Sequence, residues 1–220
     1  MRQRTKCNVS EVLMLIIGLT GSIGMGKSTV AGHFKSFGIP ICDADAEVHK
    51  LYEGAAVPQI EQAFPGVAEG GVIDRAKLAA ALMKNPDGFE NLEDIVHPMV
   101  RNVEKKFLQR HARDGAKMAV LEVPLLFETG GNKMVDVTVV VSTSAQKQQT
   151  RVLERSGMTI AKLEAIRERQ MPDTNKRNLA DFLVDTSGPM NVARDQVARI
   201  IETLSSRQPE AYALHWADGV

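Results

Sequence analysis

The stretch GLTGSIGMGKSTVAGHF, beginning at Gly18, constrains the fold more than any other part of the chain. It places four of the 17 glycines between Gly18 and Gly26, directly after the apolar run VLMLII. Glycine costs backbone entropy, so such a cluster implies dihedrals or close approaches that other residues cannot supply. Gly21 to Ser28 fits G-x-x-x-x-G-K-[ST] at every fixed position. A loop of this pattern turns backbone N–H groups toward an anion, and the helix that follows aims its N-terminal dipole at the same point. Lys27 then reaches the β- and γ-phosphates, and the Ser28 hydroxyl ligates Mg²⁺. The loop residues Gly21, Ser22, Ile23, Gly24, Met25, Gly26, Lys27, Ser28 and Thr29 are therefore the expected contacts of a nucleoside triphosphate.

The rest of the chain reads as strands alternating with helices. VLMLIIGL (12–19) is a short apolar run that suits a strand buried on both faces. After it, Val30, Phe34 and Phe37 recur at helical spacing until Gly38 stops the helix. IPIC (39–42), KMAVLEV (117–123), MVDVTVVVS (134–142) and FLVD (182–185) supply four more strands. That alternation implies a parallel sheet with right-handed crossovers. The expected fold is α/β: a P-loop NTPase-like five-stranded parallel sheet flanked by helices, with a helical substrate-binding insertion and a helical lid. Its core would combine residues 13–43 with 116–205, and residues 44–115 would form the insertion. That insertion reads as helical throughout, with Asp74 as one cap and Pro98 as the first residue of its last helix. His97, just before the proline, then marks a helix boundary. Residues 155–177 would be the lid, and 1–12 and 206–220 tails, the second packing a helix on the sheet.

Composition narrows the partners. Lys and Arg number 27 and so do Asp and Glu, so bulk electrostatic binding to nucleic acid or to an anionic membrane is not expected. Any anionic ligand must be caught by local arrangement. The two cysteines, Cys7 and Cys42, suggest no disulfide framework and fit a reducing cytoplasmic setting. No apolar run approaches the ~20 residues that a membrane span needs. A site complete within one chain predicts a monomer.

Three further features bear on chemistry. Asp43 and Asp45 follow the second strand, on the side where parallel sheets hold ligands. A carboxylate there can accept a proton from an attacking hydroxyl or hold a water on the metal, while its neighbour caps the next helix. Glu122 ends a buried strand in VLEVPLLFETG, the place of a metal or water partner, with a solvated loop carboxylate as the alternative. The segment 148–177 is rich in arginine, and Arg151 and Arg155 share one helical face. Such a segment is either a solvated surface or a lid that adds cations to a transition state and excludes water. NKMVD (132–136) is a superficial echo of a guanine reader, but it precedes a strand instead of following one. A kinase for a small hydroxyl acceptor and a nucleotide-binding module without transfer activity both remain open from these residues.

The combination of DAD (43–45), LEDIVHPMVR (92–101), EVPLLFE (122–128), QQTRVLERSGMT (148–159) and RERQM (167–171) resembles the dephospho-coenzyme A kinases over roughly residues 14–205. The resemblance implies ATP-dependent phosphorylation of the ribose 3′-hydroxyl of dephospho-coenzyme A, the last step of coenzyme A synthesis. It implies Asp45 as the base, with Lys27 and Arg151 also catalytic. Arg151 and Arg155 would be lid arginines on ATP, and Asp45, His97, Arg101 and Leu125 would face the acceptor. Ser28, Asp43 and Glu122 would surround Mg²⁺. Glu122 stands where aspartate or an uncharged residue is expected in that family, and Thr186 where asparagine is usual.

Overall fold

The structure is a computed structural model that describes residues 13–85 and 87–217. The expected tail at residues 1–12, with Cys7, lies outside the described residues. The main sheet holds five parallel strands in the order β2-β5-β1-β6-β7. They are β1 (Leu15–Thr20), β2 (Ile41–Asp43), β5 (Met118–Glu122), β6 (Val137–Ser142) and β7 (Phe182–Asp185). β1 sits at the centre, and its alternating side chains serve both faces. Leu15, Ile17 and Leu19 join Val30 and Phe34 of α1 (Lys27–Ser36) and Val197 and Ile200 of α9 (Met190–Leu204). Met14 and Ile16 meet Leu108 of α5 (Gly88–Arg113) and Trp216 on the opposite face. Two-sided burial explains why the central strands are runs of aliphatic residues rather than alternations.

Between β2 and β5 the chain builds a separate apolar cluster around Leu51, Ile60, Phe64, Leu78, Leu82 and Val96. It is carried by α2 (Ala44–Tyr52), α3 (Val57–Ala63), α4 (Arg75–Lys84) and the first half of α5. Asp74 caps α4, its Oδ1 accepting from the backbone N–H groups of Ala76 and Lys77, as the sequence led one to expect.

Two readings need correction here. The segment is not helical throughout: β3 (Ala68–Glu69) and β4 (Val72–Ile73) form an antiparallel hairpin. Gly70 and Gly71 make its turn with φ of 60° and 84°, the paired positive values that a two-residue hairpin loop requires. Nor does a helix begin at Pro98, since α5 runs unbroken through it and His97 is mid-helix. The proline removes one N–H on an exposed face, where water can satisfy the freed carbonyl, while buried Val96, Glu104 and Leu108 hold both halves in line.

The C-terminal segment is tied to the sheet by a carboxylate. Asp136, just before β6, accepts from Ile16 N at 2.8 Å, Glu210 N at 2.7 Å and Ala211 N at 2.8 Å. Tyr212–Trp216, where a helix packing on the sheet was expected, form a single π turn, and Trp216 is buried with its indole N–H on the Met134 carbonyl at 2.8 Å. Among the described residues no helix is long and apolar enough to cross a membrane. Three backbone N–H groups lose their shared acceptor in Asp136→Ala, at about 3 kcal/mol in total. That corresponds to a fall in Tm of about 6–12 °C in a chain of this size, measured by calorimetry; an unchanged Tm would contradict the anchoring role.

Candidate active site

The loop after β1 leaves the middle of the sheet and closes on α1. Gly24 and Gly26 have φ of 76° and 93°, in the left-handed region. A Cβ at Gly24 would stand 2.5 Å from Val152 Cγ2, so both dihedral and space demand glycine there. α1 begins without a side-chain cap, leaving its first N–H groups for a bound anion. Neighbouring elements hold the loop from outside. Gln148 of α6 (Ala145–Leu153) donates to Ile23 O at 2.8 Å, and Ile23 N donates to Gln170 Oε1 at 3.1 Å. The Thr186 hydroxyl donates to Met25 O at 2.7 Å and accepts from Arg151 Nη1 at 2.9 Å, while Arg151 Nη2 reaches Thr186 O at 2.8 Å. Threonine, placed where the resemblance led one to expect asparagine, therefore clasps the phosphate loop to Arg151.

Lys27 projects from the first turn of α1, and its Nζ lies 2.7 Å from Glu122 Oε1. Glu122 is 4% exposed at its side chain and Lys27 14%, so the pair is largely dry. Glu122 thus engages the loop lysine, a partner that sequence reasoning did not assign to it. Beyond Glu122, the Pro124 carbonyl accepts from Thr20 Oγ1 at 3.0 Å and from Lys176 Nζ at 2.9 Å. Lys176, on α8 (Asp173–Leu179), is fully buried and also pairs with Glu128 at 2.9 Å. The basic segment is therefore bolted to the end of the sheet through a buried ion pair. Between this segment and the loop lies a cleft of about 610 Å³. Gly21, Ser22, Ile23, Gly24, Gly26, Lys27, Ser28, Thr29, Arg151 and Arg155 line it, together with Asp45. Met25 is buried and offers its carbonyl to the Thr186 clasp instead.

Asp43 is the N-cap of α2, its Oδ1 accepting from Ala46 N at 3.2 Å. Asp45, in the first turn, points to the cleft. The pair therefore divides as its spacing suggested, one capping and one facing the ligand space. A second cavity of about 340 Å³ opens on the other side of Asp45. Its walls bring together His97, Arg101 and Leu125, which the resemblance assigned to the acceptor, with Val48, Tyr52, Val96, Glu104 and Trp216. Asp45 and Pro124 line both cavities. Loss of water around Asp45 raises its pKa above the ordinary aspartate value, with Lys27 pulling the other way and Asp43 reinforcing the rise. Tyr52, Glu104, Trp216, Gln148 and Gln170 escaped the sequence reading, because each joins the site through tertiary contacts from a segment without a phosphate motif.

A glycine loop at the carboxyl end of a central parallel strand, a lysine at the helix start and an acid across the cleft define a P-loop phosphotransferase, whose fold implies ATP as one substrate. Comparison with known proteins narrows the class. The family model for dephospho-CoA kinase matches residues 15–203. A dephospho-CoA kinase from Rhodopseudomonas palustris is 54% identical over 86% of this chain and 95% of its own length. One from Rhizobium meliloti is 51% identical over 87% of this chain and 98% of its own. A crystal structure from Thermus thermophilus superposes with a TM-score of 0.78 at 31% identity, covering 89% of this chain and all of the other. A dephospho-CoA kinase from Campylobacter jejuni has the same fold, with a TM-score of 0.65 at 24% identity over 86% of this chain and 96% of its own. The chain belongs to the dephospho-CoA kinase family.

Removing one member of the Lys27–Glu122 pair strands the other in a dry site. Lys27→Met should therefore cost about 3 kcal/mol of stability, and adding Glu122→Leu should recover most of it. A chemical-denaturation cycle measures both; wild-type stability of Lys27→Met alone would contradict the pairing.

Proposed function

We propose that the chain transfers the γ-phosphoryl group of ATP to the ribose 3′-hydroxyl of dephospho-coenzyme A. The observation that carries this reading is the position of Asp45, which faces the phosphate-loop cleft on one side and the apolar cavity on the other. An acceptor hydroxyl brought from the cavity meets the terminal phosphate of a nucleotide in the cleft beside that carboxylate. Backbone N–H groups of the loop and the start of α1 hold the phosphates, and Lys27 leaves Glu122 to neutralise charge on the migrating group. Asp45 accepts the hydroxyl proton, or orients the hydroxyl, as the new P–O bond forms. Arg155, exposed at the cleft, supplies a further cation to the transferred group. Arg151 does so less directly, because its guanidinium is held on Thr186. His97, Arg101 and Leu125 position the acceptor. The basic segment at 155–177 acts as a lid that keeps water from the phosphoryl group.

Among the described residues no cluster of three or more His, Cys, Asp or Glu side chains is placed to bind a metal on its own. That donor set fits Mg²⁺ arriving with ATP, since this ion takes most of its ligands from phosphates and water. Ser28, exposed in the cleft, would ligate it directly, and Asp43 or Glu122 would hold its waters. When bound, the ion would neutralise negative charge on the phosphates it arrives with. All of these groups come from one chain, which supports a monomer. The free, buried Cys42 fits the cytoplasm.

ADP formation should depend on added dephospho-coenzyme A, and Asp45→Asn should lower kcat ~10²–10⁴-fold with ATP affinity nearly intact. Because a base must be ionised and the pKa of Asp45 is raised, activity should fall with decreasing pH at a higher value than for an ordinary aspartate near ~3.9. A coupled assay across pH reads both. Acceptor-independent ATP consumption, or loss of ATP binding in Asp45→Asn, would contradict the scheme.

A further inference from the structure

The one buried acid of the acceptor cavity among the described residues has no part in the scheme above. Glu104 lies on α5, is 7% exposed, and lines the cavity together with the apolar side chains of Val96, Val100, Leu121, Val123 and Trp216. Among the described residues no group donates a hydrogen bond to its carboxyl. Arg101, one turn earlier on the same helix, instead directs its guanidinium to the Met134 sulfur. Burial pushes the Glu104 carboxyl up to about 7, with the Arg101 charge acting against it. A largely buried acid that makes no hydrogen bond to protein groups and opens on a cavity is satisfied by what fills that cavity, water or a ligand. An aliphatic residue would fill the position at lower cost.

Resting on the functional reading above, we infer that Glu104 is a specificity residue whose carboxylate oxygen accepts a hydrogen bond from the exocyclic amine of the acceptor's adenine. The reacting 3′-hydroxyl must lie at Asp45, and the base is attached to the same furanose ring. The cavity that opens beside Asp45 is therefore the space within the base's reach. Its apolar side chains, Val96, Val100, Leu121, Val123 and Trp216, suit the faces of a purine, while His97 and Arg101 on the same cavity suit the diphosphate carried by the 5′ carbon. A flat apolar ring carries its polarity on its edge, and Glu104 is the buried acceptor that meets that edge. The amine can donate to the ionised carboxylate, where the bond is charge-assisted, and more weakly to the carbonyl oxygen of the neutral acid, so the contact can form on either side of the acid's titration.

The test crosses the protein variant with the substrate amine. Phosphoryl transfer from ATP is measured for dephospho-coenzyme A and for its analogue with purine, lacking the amine, in place of adenine. Wild-type protein should show a KM ~10–100-fold higher for the analogue, the effect of leaving a buried acceptor unpaired. Glu104→Leu should raise KM for dephospho-coenzyme A by a similar factor, with kcat changed far less, and should treat the two acceptors within about twofold of each other. Glu104→Gln should keep the preference, because its amide oxygen accepts the same bond. The leucine variant should also melt no lower than wild type, since it removes an unpaired buried acid. Equal use of both acceptors by wild type would overturn the inference, and so would a preserved preference in Glu104→Leu. A fall in Tm with equal losses on both acceptors would assign Glu104 a structural role and overturn it too. Wild-type protein inactive on dephospho-coenzyme A would instead overturn the functional reading, and this inference with it.

Discussion

The loop between β1 and α1 has to reverse direction within a few residues while presenting N–H groups to a multiply charged ligand, and every other part of the site is arranged around that requirement. Gly24 and Gly26 occupy left-handed dihedrals, and Gly24 has no room for a Cβ against Val152. A loop so shaped is not stable by itself. It is held by amide and hydroxyl groups from distant segments: Gln148 and Gln170 on Ile23, and Thr186 with Arg151 on Met25. Those contacts join the phosphate loop to α6, to the basic segment and to the turn after β7. The shape of the loop and the placement of the basic segment are thereby coupled through the same few hydrogen bonds.

Charge within the site is handled locally, in keeping with a chain of zero net charge. Lys27 rests on Glu122, and Lys176 on Glu128, both in surroundings dry enough for an unpaired ion to be expensive. An arriving triphosphate can take Lys27 from Glu122 because it offers more negative charge at the N-terminus of α1. The Lys176 pair is more deeply buried and holds the floor of the cleft in place. On the far side of Asp45 the surroundings change from polar to apolar, which suits an acceptor with a charged middle and a flat aromatic end. The unpaired acid within that apolar wall is the exception that points to a ligand.

Much of the architecture was legible because the signals are local. The apolar runs at 15–20 and 137–142 could hardly be anything but doubly buried strands, and the loop pattern between them names its ligand class. That one of Asp43 and Asp45 caps a helix follows from their place before a helical pattern, and the structure gives that part to Asp43. What was misread depends on context beyond a short window. Pro98 looks like a helix start, yet tertiary packing on both sides carries α5 through it. The Gly70–Gly71 turn was available in the sequence but was masked by the helical patterns around it. Glu122 as the partner of Lys27, and Glu104 and Trp216 as cavity walls, come from long-range packing that no spacing rule encodes. The C-terminal segment lies beyond the residues matched by the family model, 15–203, and still contributes Trp216 to the acceptor cavity.

The central claim is geometric: one carboxylate, that of Asp45, stands where the nucleotide cleft and the acceptor cavity meet. A crystal structure with a non-hydrolysable ATP analogue and dephospho-coenzyme A bound together addresses it directly. The account predicts the ribose 3′-oxygen within hydrogen-bond distance of an Asp45 carboxylate oxygen and in line with the γ-phosphorus. A ribose docked away from Asp45, or a nucleotide bound outside the loop 21–28, would contradict it.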